Sequence, residues 1–225
     1  VGVQEGRLQA SVRQGLHYQL YADSPDAAGN YGCQIWIRHG VHPILRATVS
    51  HSFRIFEVQA FLKTVSCELI AFAAHAPVEA AKRGVKDQFW DLLLTTVQAA
   101  RIRVPKAMFV LNLDGNARVG SQSSACIGAC QPARENDNGY RFRTFLEAAE
   151  LWAVNTFTTT GHTWMGKSGV GHRIDYVCIP IGQQAVTPSF TTDSAIDLST
   201  TLREDHHAVL GDIVVPRQAL GHIPS

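Results

Sequence analysis

The sequence holds no apolar run near the roughly 20 residues that a membrane-spanning helix needs. Its first residues, Val1-Gly2-Val3-Gln4-Glu5, lack the basic stretch and apolar segment of a secretory leader, so a soluble chain is expected, cut from something longer. An excess of either charge is missing too: 20 Lys and Arg stand against 19 Asp and Glu, a formal net charge of +1. The broad basic field with which many polyanion binders attract their partners is therefore absent. Cysteine is scarce and unevenly spaced. Cys33, Cys67, Cys126, Cys130 and Cys178 make an odd set, which argues against a secreted disulfide framework and for reduced thiols inside a cell. Cys126 and Cys130 have the spacing of half a zinc site, but no second pair follows, so no structural zinc is assigned. No linker-like tract, internal repeat or low-complexity segment divides the chain, and a single domain over 1–225 is expected.

What is present is a hydrophobic fraction of 45%, enough for a substantial core. Apolar stretches at 18–21, 33–37, 44–49, 53–62 and 68–74 read as strands whose short connections predict antiparallel pairing. From 78 to 100 the period changes to three and four, with Val85, Phe89, Leu92, Leu93, Val97 and Ala100 on one helix face. A buried strand at 107–113 and an amphipathic helix at 138–152 follow, then strands at 153–157, 174–179 and 207–215. Many strands with few helices predict an α/β fold, a four-layer sandwich of two packed mixed β-sheets flanked by helices.

Several polar residues stand at the ends of these strands. Glu5 and Asp114 each end a strand, and an isolated acid there is most often a cap, turn or surface residue. Asp175 lies inside the apolar run 173–177, where a buried carboxylate needs a partner. His75 closes the run 71–74 just before Ala76-Pro77, and reads either as a satisfied core histidine or as an imidazole delivered to a loop. Near the C-terminus, Glu204-Asp205-His206-His207 sets acids and imidazoles side by side, a combination that suits metal or proton chemistry but is also common on surfaces.

Taken together and in order, these segments resemble the endonuclease/exonuclease/phosphatase superfamily. Gln4-Glu5 is similar to that family's metal motif, Ala74-His75-Ala76-Pro77 to its His-containing strand end, and Asp114-Gly115-Asn116 to its Asp-x-Asn. Arg173-Ile174-Asp175-Tyr176 resembles its Arg-x-Asp-Tyr strand and Asp205-His206 its terminal Asp-His pair. In finer detail, Phe89-Trp90, the segment 112–120, Asn155-Thr156-Phe157 and Thr163-Trp164 look most like endonuclease modules of LINE-type retroelements. Two features depart from the pattern. Leu113 stands where the family commonly has Gly, and a strand that usually contributes an Asn near the metal would precede Val1.

The resemblance implies a phosphodiester hydrolase using Mg²⁺, with Mn²⁺ as a substitute, that nicks DNA as a retroelement target-site endonuclease does. It leaves open a phosphoesterase acting on RNA, phosphoinositide or another small phosphoester, and an inactive remnant or binding module. By resemblance, Glu5 and Asp205 hold the metal, Asp114 orients or deprotonates the attacking water, and Asn116 holds the phosphate or a metal-bound water. His206 contacts the phosphate while Asp175 accepts its hydrogen bond, and His75 serves the leaving oxygen. Trp164, Arg118 and Asn155 are the expected substrate contacts, Trp164 by stacking on a base or by core packing instead. The implied partner is nucleic acid, DNA before RNA, with neither a membrane nor an obligate protein partner, in the nucleus or cytoplasm.

Overall fold

The computed structural model describes residues 1–158, 161–166, 168–182, 190–193 and 206–213. A first sheet joins β1 (Gly2–Val3), β2 (Ser11–Gln14), β3 (Tyr18–Ala22) and β4 (Gln34–Arg38) in the order β1-β4-β3-β2, all antiparallel. A second sheet contains β5 (Pro43–Ser52), β6 (Ile55–Leu62), β7 (Cys67–His75), β8 (Met108–Asp114) and β9 (Leu151–Ala153). Two short hairpins follow, β10 (Trp164–Met165) with β11 (Gly171–His172) and β13 (Phe190–Asp193) with β14 (Ala208–Gly211). Between them β12 (Asp175–Pro180) enters the second sheet, whose order is β5-β6-β7-β8-β12-β9. The helices are α1 (Arg83–Arg103), which connects β7 to β8, and α2 (Asp137–Ala149). That crossover makes β7 and β8 a parallel pair; the other pairings of the sheet are antiparallel.

The unbroken apolar run of β7 is explained by burial on both faces. Ile70, Phe72 and Ala74 pack with Phe89, Trp90, Leu93 and Val97 of α1 and with Phe142, Phe145 and Leu146 of α2. Leu69, Ala71 and Ala73 point the other way, onto Tyr21, Cys33, Ile35 and Ile37 of the first sheet. The result is α/β with two packed sheets and helices outside, as the pattern of strands and helices predicts. Both described helices cover the same face of the six-stranded sheet.

Several boundaries differ from the sequence expectation. α1 starts at Arg83 rather than 78, because residues after Pro77 form a loop whose Glu79 carboxylate accepts hydrogen bonds from the backbone of Asp137 and Asn138. α2 stops at Ala149, where Glu150 turns left-handed (φ 52), and Leu151–Ala153 pairs with β12 instead of continuing the helix. The expected strand at 153–157 is thereby reduced to the end of β9 and a 3-10 turn, Val154–Thr156. β2 has no apolar pattern to betray it, because Ser11–Gln14 is mostly exposed. Of the segment expected at 207–215, Ala208–Gly211 is strand and residues from 214 onward lie outside the described residues. No helix among the described residues is long and apolar enough to cross a membrane.

One row of the second sheet gathers polar residues at its end. In register, His75 of β7 faces Asp114 of β8, and Asp114 faces Asp175 of β12. Three polar residues from three neighbouring strands thus lie side by side. Strands pack about 4.8 Å apart, so pairing alone brings these side chains within reach of one another, on the face turned toward the first sheet.

Leu93, fully buried between α1 and the six-stranded sheet, gives the test of this core. Leu93→Ala is expected to cost about 2–5 kcal/mol of folding stability, read from the midpoint of a urea unfolding curve.

Candidate active site

Asp114 is the centre of the row and is 5% exposed. Its Oδ1 accepts the backbone N–H of Asn116 at 3.0 Å, which closes a tight turn with Asn116 in the left-handed region (φ 45). Asn116 in turn donates Nδ2 to Ala76 O at 3.0 Å, tying the end of β8 to the loop after His75. Gly115 fits here because a Cβ at that position would come within 3.2 Å of Ala117 and 3.4 Å of Tyr176. Asp175 and His206 lie on the other side of Asp114. His206 Nδ1 and Asp175 Oδ2 are 3.2 Å apart. Asp114, Asp175 and His206 each offer one donor atom within 4.8 Å of the others.

His75 and Glu5 complete the group. His75 Nε2 is 3.5 Å from Asp114 Oδ2 and 3.8 Å from Glu5 Oε1, so two carboxylates approach the same ring nitrogen from different elements. Glu5 reaches it from just beyond β1, in a left-handed turn (φ 55), with a side chain 55% exposed. Gln4 anchors that turn by donating Nε2 to Asn112 O.

Burial controls the protonation of this cleft. Desolvation, reinforced by the negative charge of Asp175 and to a smaller degree of Glu5, pushes the Asp114 carboxyl up to about 8, against the lowering influence of His206 and the Asn116 N–H. His75 is driven the opposite way, down to about 3, first by burial and then by the positive charges of Arg54 and His206. Two nearby carboxylates would ordinarily favour an imidazolium, but here desolvation prevails. The contacts of His75 with Asp114 and Glu5 are therefore those of a neutral ring and not ion pairs. Burial outweighs the positive charge near Asp114 and favours its protonated form, and in Glu5, Asp114 and Asp175 the site holds carboxylate oxygens of the kind a hard divalent cation prefers.

Supporting residues that sequence patterns do not reveal are visible in the hydrogen bonds. The buried Thr163 accepts both the Ile174 and Asp175 N–H groups on its hydroxyl, at 3.0 and 3.1 Å, while its carbonyl accepts the N–H of His207. One residue thereby fixes Asp175 and the segment bearing His206. On the far side, Arg54 donates to the carbonyls of His75 and Ala76 and lies over the Tyr31 ring at 3.7 Å, while Tyr31 meets the His75 ring edge-on at 5.5 Å. Tyr31 holds a left-handed backbone (φ 66), an unusual conformation for an aromatic residue that offers a signal only in the Tyr-Gly dipeptide.

The three expected substrate contacts fare differently. Trp164 is half-buried, stacks on His172 at 6.0 Å and pairs its backbone with that of His206, which puts it on the rim of the cleft. Arg118 is half-buried and close enough to His172 for its charge to help lower that imidazole, after burial. Asn155 does not reach the surface. It is fully buried, donating Nδ2 to Asp175 O and accepting the Val177 N–H, so its amide braces β12 instead of meeting a ligand. Asp205 lies outside the described residues. The basic residues of α2 build no rim either: Arg141 pairs with Asp87 and Asp137, and Arg143 with Glu135 and Glu147.

The two shifted groups act on stability in different pH ranges. A carboxyl with a raised folded-state value contributes stability at low pH that is lost as pH rises from its unfolded value, near 3.9, to about 8. A depressed histidine contributes stability above its ordinary 6.5 that is lost as pH falls toward 3. Of these two groups, only Asp114 acts between pH 6.5 and 8, where the Val1 amino group, lowered by desolvation, opposes it. The metal-free protein should lose thermal stability across that interval in a scanning-calorimetry series, and Asp114→Asn should flatten the decline.

No protein-family model matches the sequence, and no curated protein matches it. Solved structures do. A 3′-5′ exonuclease (NExo) from Neisseria meningitidis is similar with a TM-score of 0.67 at 14% identity, over 94% of this chain and 87% of that one. AP endonuclease LMAP from Leishmania major gives a TM-score of 0.65 at 11% identity, over 92% and 76%. The endonuclease domain of TRAS1, a telomere-specific non-LTR retrotransposon, gives 0.61 at 12% identity, over 88% and 81%. Identities this low carry the fold and not the activity: the chain shares the two-sheet α/β architecture of these nucleases along nearly its whole length.

Proposed function

We propose that this protein is a divalent-metal-dependent phosphodiester hydrolase that nicks DNA, with Mg²⁺ as its ion. The observation that carries the reading is the convergence of Glu5, His75, Asp114, Asp175 and His206, separated widely in sequence, on one group of side chains at the end of the six-stranded sheet. The names of the neighbouring structures, an exonuclease, an AP endonuclease and a retrotransposon endonuclease domain, support nucleic acid as the substrate class.

Phosphodiester hydrolysis adds a water oxygen to phosphorus and breaks the bond to the leaving oxygen, while negative charge builds on the nonbridging and leaving oxygens. Glu5, with Asp205, is assigned to the cation, and the Asp114–Asp175–His206 group lies close by. When bound, a divalent cation supplies the positive charge that offsets this build-up. Asp114, in its carboxylate form, would orient the water and accept its proton. Asn116, fixed by Asp114 and Ala76, borders the same pocket as a donor for phosphate. The His206 ring, held by Asp175 at 3.2 Å, faces phosphate oxygen as an imidazolium. His75, which burial favours in its neutral form, would donate a hydrogen bond to the leaving oxygen, and that oxygen departs as a hydroxyl on taking a proton from water. Trp164 and Arg118 on the rim meet the flanking strand.

Supercoiled plasmid incubated with Mg²⁺ should convert to open circles, and a chelator should stop the conversion. Asp114→Asn, His206→Ala and Glu5→Gln should each slow nicking by about 10²- to 10⁴-fold with the circular-dichroism spectrum unchanged. Plasmid left intact while a terminal 3′-phosphate is removed from an oligonucleotide would transfer the reading to a phosphatase, an activity named for one neighbouring structure. Neither reaction, with metal present, would end it.

A further inference from the structure

The Asp114–Arg118 turn carries Asp114 and Asn116, both assigned to the reaction, and its hydrogen bonds to Asp114 and Ala76 are not its only ones. Asn116 has a left-handed backbone, a conformation that a non-glycine residue keeps only when its surroundings enforce it. Besides the bonds to Asp114 and Ala76, further contacts come from the start of α2. The side-chain amide of Asn136 caps that helix by accepting the Gly139 N–H on Oδ1 at 2.8 Å. The same Oδ1 accepts the Arg118 N–H, also at 2.8 Å. Its Nδ2 donates to Asn116 O at 3.1 Å and to Glu79 Oε2 at 2.9 Å. Two acceptor positions and two donor hydrogens are thus all used, joining the catalytic turn, the helix and the loop after β7.

Two neighbouring features accompany this arrangement. Gly139 lies so close to the turn that a Cβ would sit 2.1 Å from Arg118 O, so the helix start and the turn are in direct backbone contact. Asn138, fully buried, donates to Pro77 O at 2.8 Å and accepts from Trp90 Nε1, which seats the helix start on the core. We propose that Asn136 is a positioning residue for the reaction, holding Asn116 and Asp114 in their working pose through the Asp114–Arg118 turn, in addition to capping α2. The proposal rests on the placement of Asp114 and Asn116 in the reacting site.

Capping and positioning can be separated by substitution. Ser and Asp are N-caps as good as Asn, so both keep the bond to the Gly139 N–H. Asn136→Asp also keeps the acceptor for Arg118 but loses the donor to Asn116 O. Asn136→Ser is too short to reach the turn and loses both links. Amide hydrogen exchange followed by mass spectrometry reads this without any catalysis: peptides covering 114–119 should exchange faster in the order wild type, Asn136→Asp, Asn136→Ser, with α2 peptides unchanged. In the plasmid-nicking assay the Ser variant should lose about tenfold to a hundredfold in kcat, the scale expected of a small misplacement, at unchanged KM. Wild-type exchange over 114–119, or wild-type kcat in Asn136→Ser, would overturn the proposal. Should Asn136→Asp fold poorly beside Glu79, the Ser variant decides alone. A wild-type protein that cleaves nothing would defeat the functional reading while leaving the exchange result to judge the positioning role.

Discussion

The site depends on strand register. His75, Asp114 and Asp175 sit together because β7, β8 and β12 are paired so that these three positions share one row of the sheet. A shift of a single residue in either pairing would turn the side chain concerned to the helix-covered face, where Phe72, Leu113 and Tyr176 now pack. The core therefore specifies the chemistry: the alternation that sends Leu111 and Leu113 toward α1 and α2 is the same alternation that sends Asp114 toward the first sheet. Every other group in the cleft is brought to that row. Glu5 arrives from the turn after β1, and His206 from the segment preceding β14.

A buried row of this kind is electrostatically unsettled. Burial opposes charge on both Asp114 and His75, so the aspartate keeps a proton and the histidine gives one up. Glu57, almost wholly buried, is by contrast matched by His51 and Arg103. The contrast between a matched carboxylate and an unmatched one separates a structural ion pair from a place prepared for another charge.

Much of this was legible in the sequence. The strands with strong alternation or unbroken apolar runs, and both helices, were evident from period alone, since burial on one or two faces leaves that mark. Ser11–Gln14 left none, being an exposed edge strand, and the left-handed Glu150 that ends α2 carries a residue type that does not announce such a turn. At the site, the order of short polar motifs sufficed to nominate Glu5, His75, Asp114, Asn116, Asp175 and His206, because each sits at a strand end in a recognisable setting. The supports were not legible. Arg54, Tyr31 and Asn136 act through contacts with atoms distant in the chain, and although Thr163 falls in a segment the resemblance singled out, nothing local there encodes its bond to the Asp175 N–H. Asn155 shows the reverse difficulty: a polar residue in a suggestive segment whose amide is engaged with β12.

The insertion of β12 between β8 and β9 also bears on how the molecule assembles. β5, β6 and β7 are joined by short connections and can zip together early, whereas β12 must close long loops to reach both of its neighbours. Asp175 and the histidine it holds are consequently among the last groups to be seated as the chain condenses. Until β12 docks, Asp175 is not beside Asp114, and Tyr176 and Cys178 are missing from the helix-side interior, so the polar row and that part of the core are completed in one step.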